Sequence, residues 1–470
     1  MKKTKIVCTI GPATESKEML VQLIKAGMNV VRLNMSHGTH EQHGEKVEKV
    51  KEVREKLKVP IAILLDTKGP EIRTHMMQDG SVILKTGQKM IISMDEVLGT
   101  NEKISVTYKN MAKDVNIGDK ILIDDGLIEM VVLEKRDDEI VVEVKNDAVL
   151  LDRKSINMPA TKLHFNFISE QDKSDIEWGL TQGIDFIAAS FIRRPSDVLE
   201  LKQLLKDNRA GHVKIISKIE CQEGVQKFEE ILALSDGIMV ARGDLGVEVD
   251  MEELPSIQKM LIRRCNEVGK PVITATQMLE SMKSNPRPTR AEVTDVANAI
   301  YDGTSAIMLS AESASGKYPI EAVEAMTRIA LKTESLLEYN ENFIDVSDSG
   351  SITEAISSAA ADMAEILGAH AIIAMTKTGS TANKVSKYRN RCSLVAVTDV
   401  ESTYRQLALT WGAIPALSDT KVTTDEMMNE GIIKALETGV VEIGAKVVIT
   451  SGIVPHVSGA TNMIKVHVIE

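Results

Sequence analysis

Cysteine is scarce and scattered in this chain. The four present, Cys8, Cys221, Cys265 and Cys392, show no CxxC or other metal-ligand spacing, which argues against a disulfide frame or a zinc site and fits buried, reduced thiols in a cytoplasm. Long apolar runs are missing too. No stretch reaches the roughly 18 uninterrupted residues of a membrane span, and the apolar part of MKKTKIVCTIGP is broken by Thr9 and stopped at Gly11-Pro12, too short for a signal peptide. An excess of positive charge is absent: 56 Lys and Arg face 68 Asp and Glu, a net charge of -12. No global field draws nucleic acid or an anionic membrane, so an anionic ligand must be held by local groups. Repeats, coiled coils and low-complexity tracts are also lacking.

What is present is alternation. Apolar segments without polar interruption, as expected of strands covered on both faces, occur at Lys5 to Thr9, Asn29 to Asn34, Ile61 to Asp66, Phe186 to Ser190, Lys214 to Ile219, Gly237 to Arg242, Pro271 to Thr276 and Ala306 to Ser310. Amphipathic helical patterns such as SKEMLVQLIKAG and PSDVLELKQLLKD lie between, with Ser or Asp at their starts. Eight strand-helix units predict a closed (β/α)8 barrel, with a doubly wound open sheet as the alternative. The step from Asp66 to Ser190 is far longer than one unit, and its middle reads as short alternating strands separated by Gly, Asp and Asn. The expected layout is a TIM barrel over 1–70 and 168–345, an inserted β-barrel lid over 71–167, and an open α/β domain over 346–470. The polar joint IDVSDSGSITEA precedes that last domain, and HAIIAMT, CSLVAVT and AKVVITSG supply its strands.

In such a barrel, chemistry gathers at the C-terminal strand ends. The second strand ends in RLNMS, where Arg32, Asn34 and Ser36 share one face. The third runs into DTKGPEIRT, with Asp66, Thr67, Glu71 and Arg73; the fifth ends in SKIE, with Lys218 and Glu220. The sixth ends in VARGD, with Arg242, Gly243 and Asp244, the seventh at Thr276, and the eighth in LSAES, with Ser310. Arg32, Arg73 and Lys218 suit phosphate. Glu220 and Asp244 form a partial shell for Mg2+, which takes one or two carboxylates plus substrate oxygens and water. Cations, a divalent metal and a glycine turn on one rim indicate phosphoryl transfer. Neither a Walker A sequence nor a kinase-type glycine-rich loop occurs. A barrel lyase stabilising an enolate and a non-catalytic metabolite sensor are the rival readings.

The motifs RLNMSHG, LLDTKGPEIRT, IISKIECQEG, IMVARGDLGVE, ITATQMLESM and NPRPTRAEVTDVANAIYDGTSAIMLSAESASGKYP resemble, in order, the signatures of the pyruvate kinase family. The resemblance implies phosphoryl transfer from phosphoenolpyruvate to ADP, giving ATP and pyruvate. It assigns Lys218 to the charge in flight and Arg32 to the phosphoryl oxygens. Glu220 and Asp244 take Mg2+ (or Mn2+), while the Ala241-Arg242-Gly243-Asp244 turn and Thr276 meet the substrate. Asn34, Ser36, Asp66 and Thr67 take K+, and the acidic Glu71 accompanies potassium dependence. Arg73, His37, Asn34 and, from the lid, Lys154 serve the nucleotide, and Thr276 and Ser310 lie on the route of the proton to the enolate.

The departures from the family pattern are Ser155 and Ala160 beside the Asn-Met-Pro core, Ala311 in LSAES, and Met35. TKTGSTANKVSKYR resembles the family's sugar-phosphate loop, with Thr376, Lys377, Thr378, Ser380 and Thr381 suited to a phosphate under the tail loop SGIVPHVSGATN. The resemblance further implies a cytoplasmic homotetramer without a carboxyl-terminal phosphohistidine-type domain.

Overall fold

The computed structural model describes residues 1–159, 161–164, 166–338, 351–420, 423–452 and 461–470. Ala160, the first part of the polar joint and most of the tail loop lie outside the described residues.

Eight parallel strands, Lys5–Thr9, Val30–Asn34, Ala62–Asp66, Phe186–Ala189, Lys214–Ile219, Gly237–Ala241, Val272–Ala275 and Ala306–Leu309, close into a barrel. Lys5 to Cys8 pair with Ala306 to Leu309, so the first strand meets the eighth and the open-sheet alternative fails. The uninterrupted apolar runs follow from burial on both sides. Val7, Val30, Leu64, Ala188, Ile216, Met239 and Ile273 fill the barrel interior, while Ile6, Leu33, Ile63, Leu65 and Ile187 face the surrounding helices. Ser16 caps the first of those helices as expected, whereas Pro195–Asp207 starts from Arg194 and has its acidic residue, Asp197, inside the first turn. Ser16 accepts the Met19 amide at 3.2 Å, and Asp197 accepts the Arg193 and Arg194 amides at 2.9 and 3.0 Å ahead of Pro195–Asp207.

The insertion after the third strand holds a seven-stranded sheet and a two-stranded one. Its burial alternates along Ile128–Lys135 and Glu139–Val144, as a sheet with one covered face requires. The two edges of the larger sheet meet through a bridge between Thr74 and Val106, closing it around its own core of Ile92, Ile104, Met130 and Val142.

The carboxyl-terminal part is a five-stranded sheet in the order Ala413–Leu417, Ser393–Thr398, Ala371–Met375, Lys446–Gly452, Thr461–Val468, the last strand antiparallel. Two of these strands escaped the sequence reading. Pro415 hides the first as a strand, since proline is confined to edges, and the second is a half-exposed edge. This unit also closes the barrel floor: Ala408 and Leu409 join the interior core. Arg405 binds the buried Asp185 at 2.7 Å, and Asp185 in turn accepts the Ile63 amide at 2.9 Å. No described helix is long and apolar enough to cross a membrane.

Burial alone pushes the Asp185 carboxyl up, and Arg405 opposes that shift. Arg405→Ala therefore leaves an uncompensated buried charge and should destabilise the fold by about 3 kcal/mol. Calorimetry would read this as an earlier first transition. An unchanged transition would show that the pair does not secure the floor.

Candidate active site

Asp66 sits at the end of the third strand, 1% exposed, between two cations. Arg32 Nε donates to its Oδ2 at 2.5 Å and Lys218 Nζ to its Oδ1 at 3.0 Å. Strand pairing sets this up, because Asn34 is the register partner of Asp66 and Arg32 that of Leu64. Arg32 also donates to Thr9 Oγ1 at 2.9 Å, and Lys218 lies 3.0 Å from Glu220 Oε1 and donates to Ser190 Oγ at 2.7 Å. Burial opposes the Lys218 charge, but Asp66 and Glu220 outweigh it and hold the ammonium above its ordinary pKa. Burial likewise opposes ionisation of Asp66, yet Arg32 and Lys218 keep the carboxyl below its usual range. The Lys218 ammonium is thus held in its charged form before any anion arrives.

Glu220 and Asp244 behave in the opposite way. Burial is the main cause in both. It pushes Glu220 up to about 7, against Lys218 and with help from the Asp244 charge, and it raises Asp244, with Lys218 opposing and Glu71 and Asp125 adding to the shift. Glu220 Oε2 accepts the Phe191 amide at 2.6 Å. Two desolvated carboxylates whose ionised forms are disfavoured are matched to a divalent cation that would neutralise them. Among the described residues no group of three or more His, Cys, Asp or Glu could hold a metal, so an ion here would complete its shell with substrate oxygens and water.

The turn after the sixth strand opens the helix Arg242–Glu248. Gly243 donates its amide to Thr276 Oγ1 at 2.8 Å, and that hydroxyl donates to Ala275 O at 2.6 Å. Thr276 and Gln277 take left-handed backbone, φ 68° and 52°, a local strain of the kind that accumulates at functional sites. The Arg242 side chain does not face the site. It binds Asp295 at 2.7 Å and the Thr276 carbonyl at 2.6 Å, so Ala241 to Asp244 can meet a ligand only through backbone and Asp244. Glu312 accepts the Ser310 and Leu279 amides at 2.8 and 3.2 Å, pinning the end of the eighth strand to the seventh loop. Ala311 is not in left-handed backbone, so its Cβ brings no strain there.

On the lid side, Glu71 holds Arg73 bidentately at 2.7 and 2.9 Å. Ser155 is the cross-strand partner of Arg73 and donates to Asp125 Oδ1 at 3.0 Å, while Lys154 pairs with Asp124 at 2.8 Å. Asn157 donates to Glu248 Oε1 at 2.9 Å, tying the lid to the helix that carries Asp244. Among the potassium candidates, Asn34 Oδ1 accepts the Ser36 amide at 3.2 Å, Thr67 Oγ1 accepts the Ser190 amide at 3.0 Å, and Ser36 is exposed. His37 is exposed and touches its surroundings through its carbonyl, which accepts from His43 Nε2 at 2.7 Å.

The structure adds Ser190, which bridges Lys218 and the Thr67 carbonyl, the latter at 2.7 Å. Its place at a strand end was the only signal in the sequence. In the carboxyl-terminal loop, Thr376 follows the strand Ala371–Met375, and Gly379 precedes the helix Ser380–Ser386 without a side-chain cap. Thr381 Oγ1 lies 2.6 Å from Thr461 Oγ1, and the Lys377 carbonyl accepts from Thr403 at 2.9 Å.

The family model described as pyruvate kinase, barrel domain, matches residues 1–323, and the pyruvate kinase alpha/beta domain model matches 354–467. The chain is 53% identical over 472 residues to a pyruvate kinase of Geobacillus stearothermophilus, covering all of this chain and 80% of that one. It is 52% identical over 473 residues to one of Bacillus licheniformis, covering all of this chain and 81% of the other. A crystal structure of a pyruvate kinase from Cryptosporidium parvum superposes with a TM-score of 0.95 at 39% identity, covering 100% of this chain and 96% of that one.

Burial raises the Glu220 carboxyl from its ordinary 4.5 to about 7 in the folded protein. Between these values the folded state keeps a proton that the unfolded state has lost, so its contribution to stability falls as pH rises through that window. In chelator the melting temperature of wild type should therefore decline over this range more steeply than that of Glu220→Gln, and Mg2+ should remove the difference. Parallel curves in chelator would contradict the burial assigned to this carboxyl.

Proposed function

The chain belongs to the pyruvate kinase family, and on that premise we propose how its own residues carry phosphoryl transfer from phosphoenolpyruvate to ADP. The carrying observation is the convergence of Arg32 and Lys218 on Asp66, with Glu220 against the same Lys218 ammonium. Arg32, Lys218, Asp66, Glu220 and Asp244 together carry one net negative charge when all are ionised, so a divalent ion leaves the rim positive and suited to a phosphorylated carboxylate. Arg32 orients the phosphoryl oxygens, and Lys218 stabilises charge on the group in transit. The amides of the Ala241 to Asp244 turn and the Thr276 hydroxyl receive the substrate carboxylate, which requires Thr276 to release the Gly243 amide. Arg73, Asn34, His37 and Lys154 serve the nucleotide from the rim and lid.

Held by Glu220 and Asp244, Mg2+ or Mn2+ would supply Lewis acidity and charge neutralisation, while K+ at Asn34, Ser36, Asp66 and Thr67 would supply a weakly hydrated positive charge. After transfer the enolate takes a proton along a path past Thr276 and Ser310. The domains are read as 1–70 with 168–345, 71–167, and 346–470. A sugar phosphate at Thr376, Lys377, Thr378, Ser380 and Thr381, a homotetramer and a cytoplasmic location complete the proposal. The lyase reading is disfavoured because Arg32 and Lys218 add two fixed cations that an enolate alone does not need.

In a lactate-dehydrogenase-coupled assay Lys218→Met should lose roughly 10²- to 10³-fold or more in kcat, the scale of a lost electrostatic stabiliser. Near-normal turnover would remove Lys218 from the chemistry. Replacing K+ by Na+ should depress wild-type activity strongly, and Glu71→Lys should make the enzyme indifferent to the exchange. Equal monovalent dependence in both proteins would dismiss the role of Glu71.

A further inference from the structure

Three oxygens from neighbouring strand ends surround the Lys218 ammonium. It donates to Asp66 Oδ1 at 3.0 Å and to Ser190 Oγ at 2.7 Å, and Glu220 Oε1 lies 3.0 Å away. Two of the three are shared. Asp66 also holds Arg32, and Glu220 is a candidate ligand of the divalent ion. Among the described residues Ser190 Oγ meets no second cation, so it is the acceptor that belongs to this ammonium alone.

The sheet puts Ser190 there. The fourth strand, Phe186–Ala189, lies between the third and the fifth, with Ala188 the register partner of Asp66 and Ala189 that of Ser217. One residue further on, Ser190 stands beside Thr67 and Lys218. Lys218 on the fifth strand thus reaches Asp66 on the third across the end of the fourth, and Ser190 is the side chain that the fourth strand contributes to that span.

Its hydroxyl has one direction. An ammonium cannot accept, so Ser190 Oγ accepts from Lys218 and has a single proton to give. The Thr67 carbonyl takes that proton at 2.7 Å, against 3.4 Å for Asp66 Oδ1. The backbone on either side is pinned as well: the Ser190 amide donates to Thr67 Oγ1 at 3.0 Å and the Phe191 amide to Glu220 Oε2 at 2.6 Å. Phe191 takes left-handed backbone, φ 54°, strain of the kind that Thr276 and Gln277 carry on the same rim. Gly69 packs so closely that a Cβ there would lie 2.7 Å from the serine Cβ. Joining two strands requires neither a strained neighbour nor a hydroxyl aimed at an ammonium.

We propose that Ser190 is a positioning residue for phosphoryl transfer, a role that rests on the assignment of Lys218 to the charge in transit. With its proton committed to the Thr67 carbonyl, the hydroxyl oxygen holds the ammonium at one point while other cations engage Asp66 and Glu220. Without it the ammonium swings toward the carboxylates and away from the travelling group.

The test compares full-length wild type, Ser190→Ala, Lys218→Met and the double variant in the coupled assay. Ser190→Ala should lose about tenfold or more in kcat, the scale of a lost hydrogen bond to a charged group. Its KM for phosphoenolpyruvate should stay within about twofold, because the contact places charge in the transition state. Added to Lys218→Met, the same change should cost less than about twofold, since the group it acts through is gone. Losses that multiply in the double variant would reduce Ser190 to a tie between strands and overturn the proposal, as would wild-type kcat in Ser190→Ala. Ser190→Cys, which keeps the volume but offers only a weak acceptor, is judged by the same outcomes where Ser190→Ala does not fold. Near-normal turnover in Lys218→Met would strike the role of Lys218 and this one with it, whereas an impaired Lys218→Met beside an intact Ser190→Ala strikes this one alone.

Discussion

A carboxylate almost without solvent, Asp66, is the constraint from which the site follows. Arg32 and Lys218 would repel each other in a desolvated space; Asp66, bound to both at 2.5 and 3.0 Å, offsets that repulsion and holds each in position. The arrangement needs a parallel barrel, because only neighbouring strands in register bring residues from the second, third and fifth strand ends within reach of one carboxylate. Preorganised cations of this kind accelerate phosphoryl transfer without reorganising as charge moves. The same burial that would be destructive for a lone charge is what makes these charges useful.

The metal pair obeys the same physics with the sign reversed. Glu220 lies beside Lys218 yet remains hard to ionise, because desolvation exceeds what a single shared ammonium returns. Asp66 has two cations and ionises readily; Glu220 and Asp244 lack that compensation. One rim therefore holds a carboxylate satisfied by two side-chain cations and an unsatisfied pair, and the difference separates Asp66 from the candidate ligands of the divalent ion more clearly than distance does.

This division bears on what the sequence could reveal. Strand ends were legible because burial on both faces leaves continuous apolar runs that stop at the rim, so RLNMS, SKIE and VARGD announced Arg32, Lys218, Glu220 and Asp244. Side-chain direction beyond the strand was not legible. Arg242 shares the strand-end period with Asp244, but it sits at the start of a helix, where the chain turns, and its guanidinium goes to Asp295. Ser190 went unnoticed because a serine ending a strand is commonplace, and its importance comes only from contacts with Lys218 and the Thr67 carbonyl. The two unforeseen carboxyl-terminal strands lie at the sheet edges, where alternation is weakest and proline is tolerated.

The third strand connects both ends of the molecule. At its floor end the Ile63 amide binds Asp185, which Arg405 of the carboxyl-terminal unit also holds; at its rim end stands Asp66. A strand is stiff along its length, and this one is paired with the second and fourth strands through Ala62 to Asp66. A shift of the carboxyl-terminal unit against the floor therefore pulls on the same backbone that fixes the central carboxylate. Spatial continuity is not yet coupling. What would convert it is a floor contact with two alternative packings, and the cavity of about 250 Å³ lined by Gln406 and Leu407, the residues after Arg405, is where the structure leaves room for a second one.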